Sequence, residues 1–373
     1  MSDRIYLDYN ATAKIRPEVI DALATALGHV GNASSVHGSG RAARKLIETA
    51  RRQVGELVGA KPDQIVFMSG GTEADNQVMR VCNPDRTLVS AIEHPAVLDA
   101  CPGAKQIPVD ANGVINLSEL DRLLSQMDAP QMVALMLANN ETGVIQPVAE
   151  AAKIAHRYGA LFHCDAVQAV GKIPVDFTAL NVDTMALTGH KFGGPQGTGA
   201  LVVSTIESAE VLMRGGGQEH GLRGGTESVA HVVALGKASE IAIEQFQNYA
   251  GLAALRDSLE ARLTEAVPAM KIFGRDAPRL PNTSKIMMPG VSSETQVIAL
   301  DLAGIDVSAG SACSAGRIEP PYVLTAMGVP ETDALCALRI SLGWDTTELE
   351  INRFVAEWAR IYKRTSERHA SRE

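Results

Sequence analysis

No apolar run in this 373-residue chain is long enough to cross a bilayer, so a membrane is not an expected partner. The opening MSDRIYLDYNATA carries no basic-then-apolar leader pattern, and a cytoplasmic location is the expectation. The five cysteines, Cys82, Cys101, Cys164, Cys313 and Cys336, are odd in number and include no C-x-x-C pair. That pattern argues against a disulfide framework and against a zinc knuckle. The nine histidines include no H-E-x-x-H, and no metal site is expected. Basic side chains are the minority, 34 against 43 acidic ones, and form no stripe, so direct nucleic-acid binding is not expected. The densest basic cluster, Arg41, Arg44, Lys45, Arg51 and Arg52, reads as the solvated face of a helix whose other face carries Leu46, Ala50, Val54 and Leu57. Internal repeats, low-complexity tracts and Ser/Pro-rich linkers are also missing.

What the chain has instead is alternation. Short apolar runs at Ile65–Met68, Thr87–Ala91, Lys105–Pro108, Met132–Leu137, Ala160–Cys164, Asp183–Leu187 and Gly199–Val203 read as strands. Helical patterns such as Leu117–Ser125 and Pro147–Tyr158 lie between several of them. This spacing predicts an α/β domain with a mostly parallel sheet, whose ligand site lies beyond the carboxyl ends of its strands. From about Ser228 the pattern changes to a long helical stretch reaching Val267, then to strands at Ser284–Met288, Val307–Ala309 and Arg339–Ser341. A smaller α+β domain follows, its last helix starting near Thr347 with Glu350 at capping-box spacing.

Several strand ends carry chemistry. In IVFMSGGTEADN, Gly70 and Gly71 let backbone approach a ligand, and the N–H groups of Gly71, Thr72 and Glu73 open a helix where an anion is favoured. A tight turn with Thr72 as a plain N-cap gives the same letters. Asp165 ends the apolar run of ALFHCDAVQ, where a carboxylate needs a cation or a helix to cap, and a pyridinium nitrogen is such a cation. Gln168 lies three residues on. In TGHKFGGPQGTG, Lys191 has apolar and glycine neighbours. A lysine kept from water there has a lowered pKa and attacks aldehydes to form a Schiff base. His94 in AIEHPAVL suits ring stacking and proton shuttling, and Asn140 in LANNETG suits a bond to a phenolic oxygen. Each residue taken singly has an ordinary structural explanation; together they offer anion cradle, ring stacker, pyridinium partner, oxygen donors and lysine. Cys313, in VSAGSACSAGRIEP, sits among small residues, where a thiol is accessible, whereas Cys164 and Cys336 lie in apolar runs.

In order along nearly the whole chain, YLDYNATA, GNASSVH, SGGTEADN, EHPAVL, NNETG, HCDAVQAVGK, TGHKFGGPQGTG, LRGGTES, SAGSACSAGRIEP and LRISLG resemble the cysteine desulfurases of the NifS/IscS group, class-V aminotransferase-like enzymes of fold type I. The resemblance implies a large pyridoxal-phosphate-binding domain over 13–246 with a mostly parallel seven-stranded sheet. A small domain of 1–12 and 247–373 then carries the catalytic-cysteine loop. It implies that Lys191 holds the cofactor, Asp165 pairs with the ring nitrogen, and His94 stacks on the ring. Asn140 and Gln168 contact the ring oxygen, and Gly71, Thr72, Thr188 and His190 bind the phosphate. Thr226 reaches the phosphate of the neighbouring subunit of a homodimer. Asn32 and Arg339 hold the substrate carboxylate. Cys313 takes sulfur from L-cysteine as a persulfide, leaving alanine, for a sulfur-acceptor protein such as an iron–sulfur scaffold.

The sequence departs from the pattern at Thr188, where serine is usual, at Ala33, where proline is usual, beside Cys313, and in LGWDTT. Without the longer tail of some relatives, scaffold docking through such a tail is not expected. Three alternatives remain: a selenocysteine lyase, a class-V aminotransferase, which needs no loop thiol, and an inactive desulfurase-like partner protein, which typically lacks the lysine or the thiol.

Overall fold

The computed structural model describes residues 4–205, 211–310 and 320–370. Strand β1 (Ile5–Tyr6) comes first. Then come β2 (Ile65–Met68), β3 (Thr87–Ser90), β4 (Lys105–Ile107), β5 (Met132–Ala134), β6 (Leu161–Asp165), β7 (Thr184–Thr188) and β8 (Gly199–Val203). These seven form one sheet in the order β2-β8-β7-β6-β5-β3-β4. Only β8 runs against its neighbours, β2 and β7. Strands β2, β3, β5, β7 and β8 are buried along their whole length, which is why they read as unbroken apolar runs rather than as alternation. Packed against them are the helices Pro17–Leu27, Gly38–Val58 and Val229–Ala250, with Val19, Ile47, Val54, Leu57 and Leu235 in the shared core.

Later in the chain β9 (Lys271–Phe273), β10 (Thr283–Met287) and β12 (Ala337–Ser341) form an antiparallel sheet, while β11 (Ile305–Asp306) pairs in parallel with β1. A second core gathers Trp358 and Phe354 of the last helix, Leu259, Ile286 and Ile340, with Ile5 and Leu7 added from the amino-terminal segment. The last helix opens with the expected capping box. The Thr347 N–H donates to Glu350 Oε2 at 2.7 Å and the Glu350 N–H to Thr347 Oγ1 at 3.3 Å.

Three readings need correction. The run Met132–Leu137 is a regular strand only to Ala134, although Leu135 and Leu137 still donate to the carbonyls of His163 and Asp165. Ser308 meets Arg339 as an isolated bridge rather than within a strand, because the chain turns at Gly310 with φ +101°. Arg51 is not on a solvated face. It is 3% exposed, its guanidinium lies over Phe67, and it pairs with Glu219 through two bonds of 2.8 Å. Arg41, Arg44, Lys45 and Arg52 are exposed as expected.

Among the described residues no helix is long and apolar enough to cross a membrane. None of their His, Cys, Asp and Glu side chains cluster in a group of three or more placed to hold a metal ion.

Candidate active site

The carboxyl ends of β2, β3, β5, β6 and β7 converge on a cavity of about 260 Å³, closed on the far side by Asn10 and by Arg339 of β12. Gly71, Thr72, His94, Asn140, Asp165, Gln168, Thr188, His190, Lys191 and Arg339 all line it. Asn32 and Thr226 do not. Asn32 is exposed, its side-chain oxygen taken by the Ser34 N–H at 2.8 Å, and Thr226 is exposed beside Gly225. Cys313 lies outside the described residues.

At one end a second recess, of about 410 Å³, shares Gly71, Thr72, Thr188 and His190 with the first. Here β2 turns at Gly70 into the helix Gly71–Met79, whose first-turn N–H groups have no partner within the helix. Close approach is required: a Cβ on Gly199 of β8 would stand 2.6 Å from the Leu187 carbonyl and 2.8 Å from Gly70 Cα. Burial, with Lys191 adjacent, lowers the His190 pKa to about 4, leaving a neutral ring at this end of the cavity.

Asp165 is 6% exposed, and its Oδ1 accepts the Val167 N–H at 2.8 Å. Burial, aided by the nearby carboxylate of Asp75, raises its pKa to about 7. A carboxylate in that condition is short of a cation. His94 caps the next short helix, its Nδ1 accepting the Ala96 N–H at 3.1 Å, and burial lowers its pKa, leaving a neutral ring at the cavity.

Lys191 Nζ rests on the carbonyls of Asn10 at 2.7 Å and Ala11 at 2.9 Å. Burial and the neighbouring Arg339 lower its pKa to about 8. Arg339 donates to the Asn140 carbonyl at 3.0 Å and to Asp8 at 2.6 Å, yet its Nε is buried without a partner. The side-chain oxygen of Asn140 is likewise buried and unpartnered. A ligand with both polarities would satisfy two such atoms beside one cavity.

Four residues escaped the sequence reading. Asp75 lines the cavity and bonds His163 Nε2 at 3.1 Å; burial raises its pKa to about 8. Its position one helical turn after Thr72 was the available signal. Glu93, next to His94, is fully buried with Oε2 unpartnered. Asn10 and Lys172 bond one another behind Gln168.

The Aminotransferase class-V family model matches residues 5–354. A cysteine desulfurase of Cereibacter sphaeroides is 43% identical over 368 residues, 95% of this chain and 94% of that protein. An IscS-like cysteine desulfurase of Mycobacterium tuberculosis is 38% identical over 366 residues, 93% of each. The structure of a NifS-like protein from Rickettsia africae matches with a TM-score of 0.90 at 37% identity, covering 96% of this chain and 99% of that one. Fold and cavity together are those of a fold-type I pyridoxal-phosphate enzyme, and the chain belongs to the class-V aminotransferase family. Within that family it stands with the cysteine desulfurases of the NifS/IscS group. The residues present fit the cofactor: a helix N-terminus suits its phosphate, the cation-starved Asp165 its ring nitrogen, and the lowered Lys191 amine its aldehyde.

Proposed function

We propose that the chain removes sulfur from L-cysteine, releases L-alanine, and carries the sulfur as a persulfide on Cys313 to an acceptor protein that builds iron–sulfur clusters or thiolated cofactors and tRNA. One observation carries this reading: in a chain so close to cysteine desulfurases, a lowered lysine, a buried carboxyl and an incompletely bonded arginine meet in one cavity.

Pyridoxal phosphate bound there supplies an aldehyde for amines and a protonated ring that draws electrons from the substrate's α-carbon. Gly71, Thr72, Thr188 and His190 hold the phosphate, and Asn140 and Gln168 face the ring oxygen. Asp165 keeps a proton on the ring nitrogen, which in turn satisfies the buried carboxyl. His94 covers the ring. Lys191, its pKa lowered by burial, would hold the cofactor's aldehyde and would accept the substrate's α-proton at Nζ. Arg339, with Asn32, holds the substrate carboxylate. The Cys313 thiolate attacks the substrate sulfur, so that an S–S bond forms, the carbon–sulfur bond breaks, and its electron pair stays on the carbon that becomes the methyl group of alanine. Sulfur is oxidised and carbon reduced, with no outside oxidant.

We further read residues 13–246 as the cofactor-binding domain, with 1–12 and 247–373 as the smaller one. The chain acts as a homodimer in which Thr226 serves the second copy's phosphate. Its exposed position supports this, as do the exposed apolar residues Leu27, Val30 and Val36 on either side of Asn32.

The test is mass spectrometry of the Cys313 peptide after treatment with cysteine. One added sulfur atom is expected, lost on incubation with the acceptor. Full sulfide release by Cys313→Ala in the presence of reductant refutes the thiol's role, and alanine formation from selenocysteine alone reassigns the substrate.

A further inference from the structure

Lys172 is a buried ionisable group that the chemistry above leaves unused. It is 1% exposed, and its acceptors are two amide oxygens, Asn10 Oδ1 at 2.7 Å and Gln168 Oε1 at 2.6 Å. None of the salt bridges among the described residues involves it. Burial and the neighbouring Lys191 and Arg339 push its pKa well below the ordinary lysine value.

The surrounding carbonyls fix the direction of every bond. A backbone carbonyl only accepts. Gln168 Nε2 lies 2.9 Å from the Asn10 carbonyl, so its amide nitrogen must face Asn10 and its oxygen must face Lys172. Asn10 Nδ2 lies 3.3 Å from the Asn140 carbonyl, so the Asn10 side-chain oxygen must also face Lys172. Lys172 therefore donates to both. The Asn10 carbonyl that receives Gln168 also receives Lys191 Nζ at 2.7 Å. With one N–H spent on Asn10, the other N–H of the Gln168 amide is left for the cavity that Gln168 lines.

We propose that Lys172 is a positioning residue: by donating to Gln168 Oε1 and Asn10 Oδ1 it makes Gln168 offer the cavity a hydrogen-bond donor and fixes the carbonyl on which Lys191 rests. This rests on the reading of Gln168 as a contact of the cofactor's ring oxygen.

A double-mutant cycle on the purified holoenzyme tests it, read by the cofactor's dissociation constant and by the pH midpoint of its visible absorption band. Lys172→Met strips the donor from a buried oxygen. It is expected to weaken cofactor binding about tenfold and to move the midpoint by about one unit. Gln168→Leu is expected to do the same, and the double variant no more than Gln168→Leu alone. Lys172→Gln, which keeps two N–H donors one bond short of the lysine's, restores most of the loss. If Lys172→Met does not fold, Lys172→Leu, which also removes the donors, takes its place in the cycle. A purely structural lysine predicts additive losses with an unmoved midpoint, and that result overturns the proposal. Effects from Gln168→Leu but none from a folded Lys172→Met overturn it while leaving the Gln168 reading intact; silence from Gln168→Leu removes both.

Discussion

Three acids, Asp75, Glu93 and Asp165, and three bases, Lys172, Lys191 and Arg339, gather at the cavity; in each trio two line it and one sits behind. Burial raises the acids, Asp165 to about 7, Asp75 to about 8 and Glu93 well above its usual range. The same burial lowers the lysines, Lys191 to about 8 and Lys172 well below its usual range. Among the described residues no ion pair joins the two trios. Elsewhere buried charges are paired directly, Lys285 with Glu141 at 2.7 Å and Arg279 with Glu260 at 2.7 Å. The difference teaches what the cavity is for. Apart from Arg339, which pairs with Asp8, its charges are kept apart and partly neutralised, at a cost in stability that a ligand with a cationic ring and anionic ends would relieve.

The bluntest way to break this comparison is Lys191→Ala, which empties the basic trio of its nucleophile. Alanine formation from cysteine should fall more than about a thousandfold, and a variant retaining activity contradicts the assignment. Asp165→Asn tests the acidic trio, with turnover falling about a hundredfold. The same variant carries a pH signature in the cofactor-free protein. A carboxyl raised to about 7 in the fold keeps its proton after the unfolded chain has lost it. Stability therefore drains away as pH climbs from about 4 to about 7 and stays low above. Asp165→Asn should match the parent near pH 4 and exceed it at pH 8 by on the order of 4 kcal/mol in denaturant titrations. A variant less stable than the parent at pH 8 removes the idea of a stored penalty.

In the basic trio, labelling of Lys191 by a small aldehyde in the cofactor-free protein should rise about tenfold per pH unit up to about 8 and then level off. Arg339→Gln removes a neighbouring cation and should move that midpoint upward by about half a unit; a downward move assigns the effect to something other than Arg339. The smallest effect is a control far from the cavity. Thr347→Ala, losing the cap of the last helix, should cost about 1 kcal/mol at every pH and leave the cofactor's absorption unchanged.

Sheet and cavity lining were largely legible because the carboxyl-end residues follow apolar runs. A polar residue after such a run, such as Asp165 or Thr188, has only the sheet's ligand edge to occupy. The resemblance supplied particular roles for Gln168 and Arg339. What stayed hidden is set by distant parts of the chain. Arg51 lies on the same stripe as Ile47 and Val54, and nothing local reveals that Glu219 will meet it there. Lys172 has no local signal of burial, since its partner Asn10 arrives from the amino-terminal segment. The early end of Met132–Leu137 as a strand has no local signal, since those residues stay buried beside β6 in either form.

The amino-terminal segment has a consequence for the order in which the protein is made. Ile5 and Tyr6 find their strand partner only at Ile305 and Asp306, and the Asn10 N–H finds its own only at Ser341. A nascent chain released from the ribosome as far as β8 already owns Lys191, and Gln168 and Lys172 already reach Asn10, but the strand partners of Ile5 and Tyr6 and the Ser341 hydroxyl have yet to be made. Arg339, which lines the same cavity, comes only with β12, so a product truncated before that strand is left without a finished reactive centre.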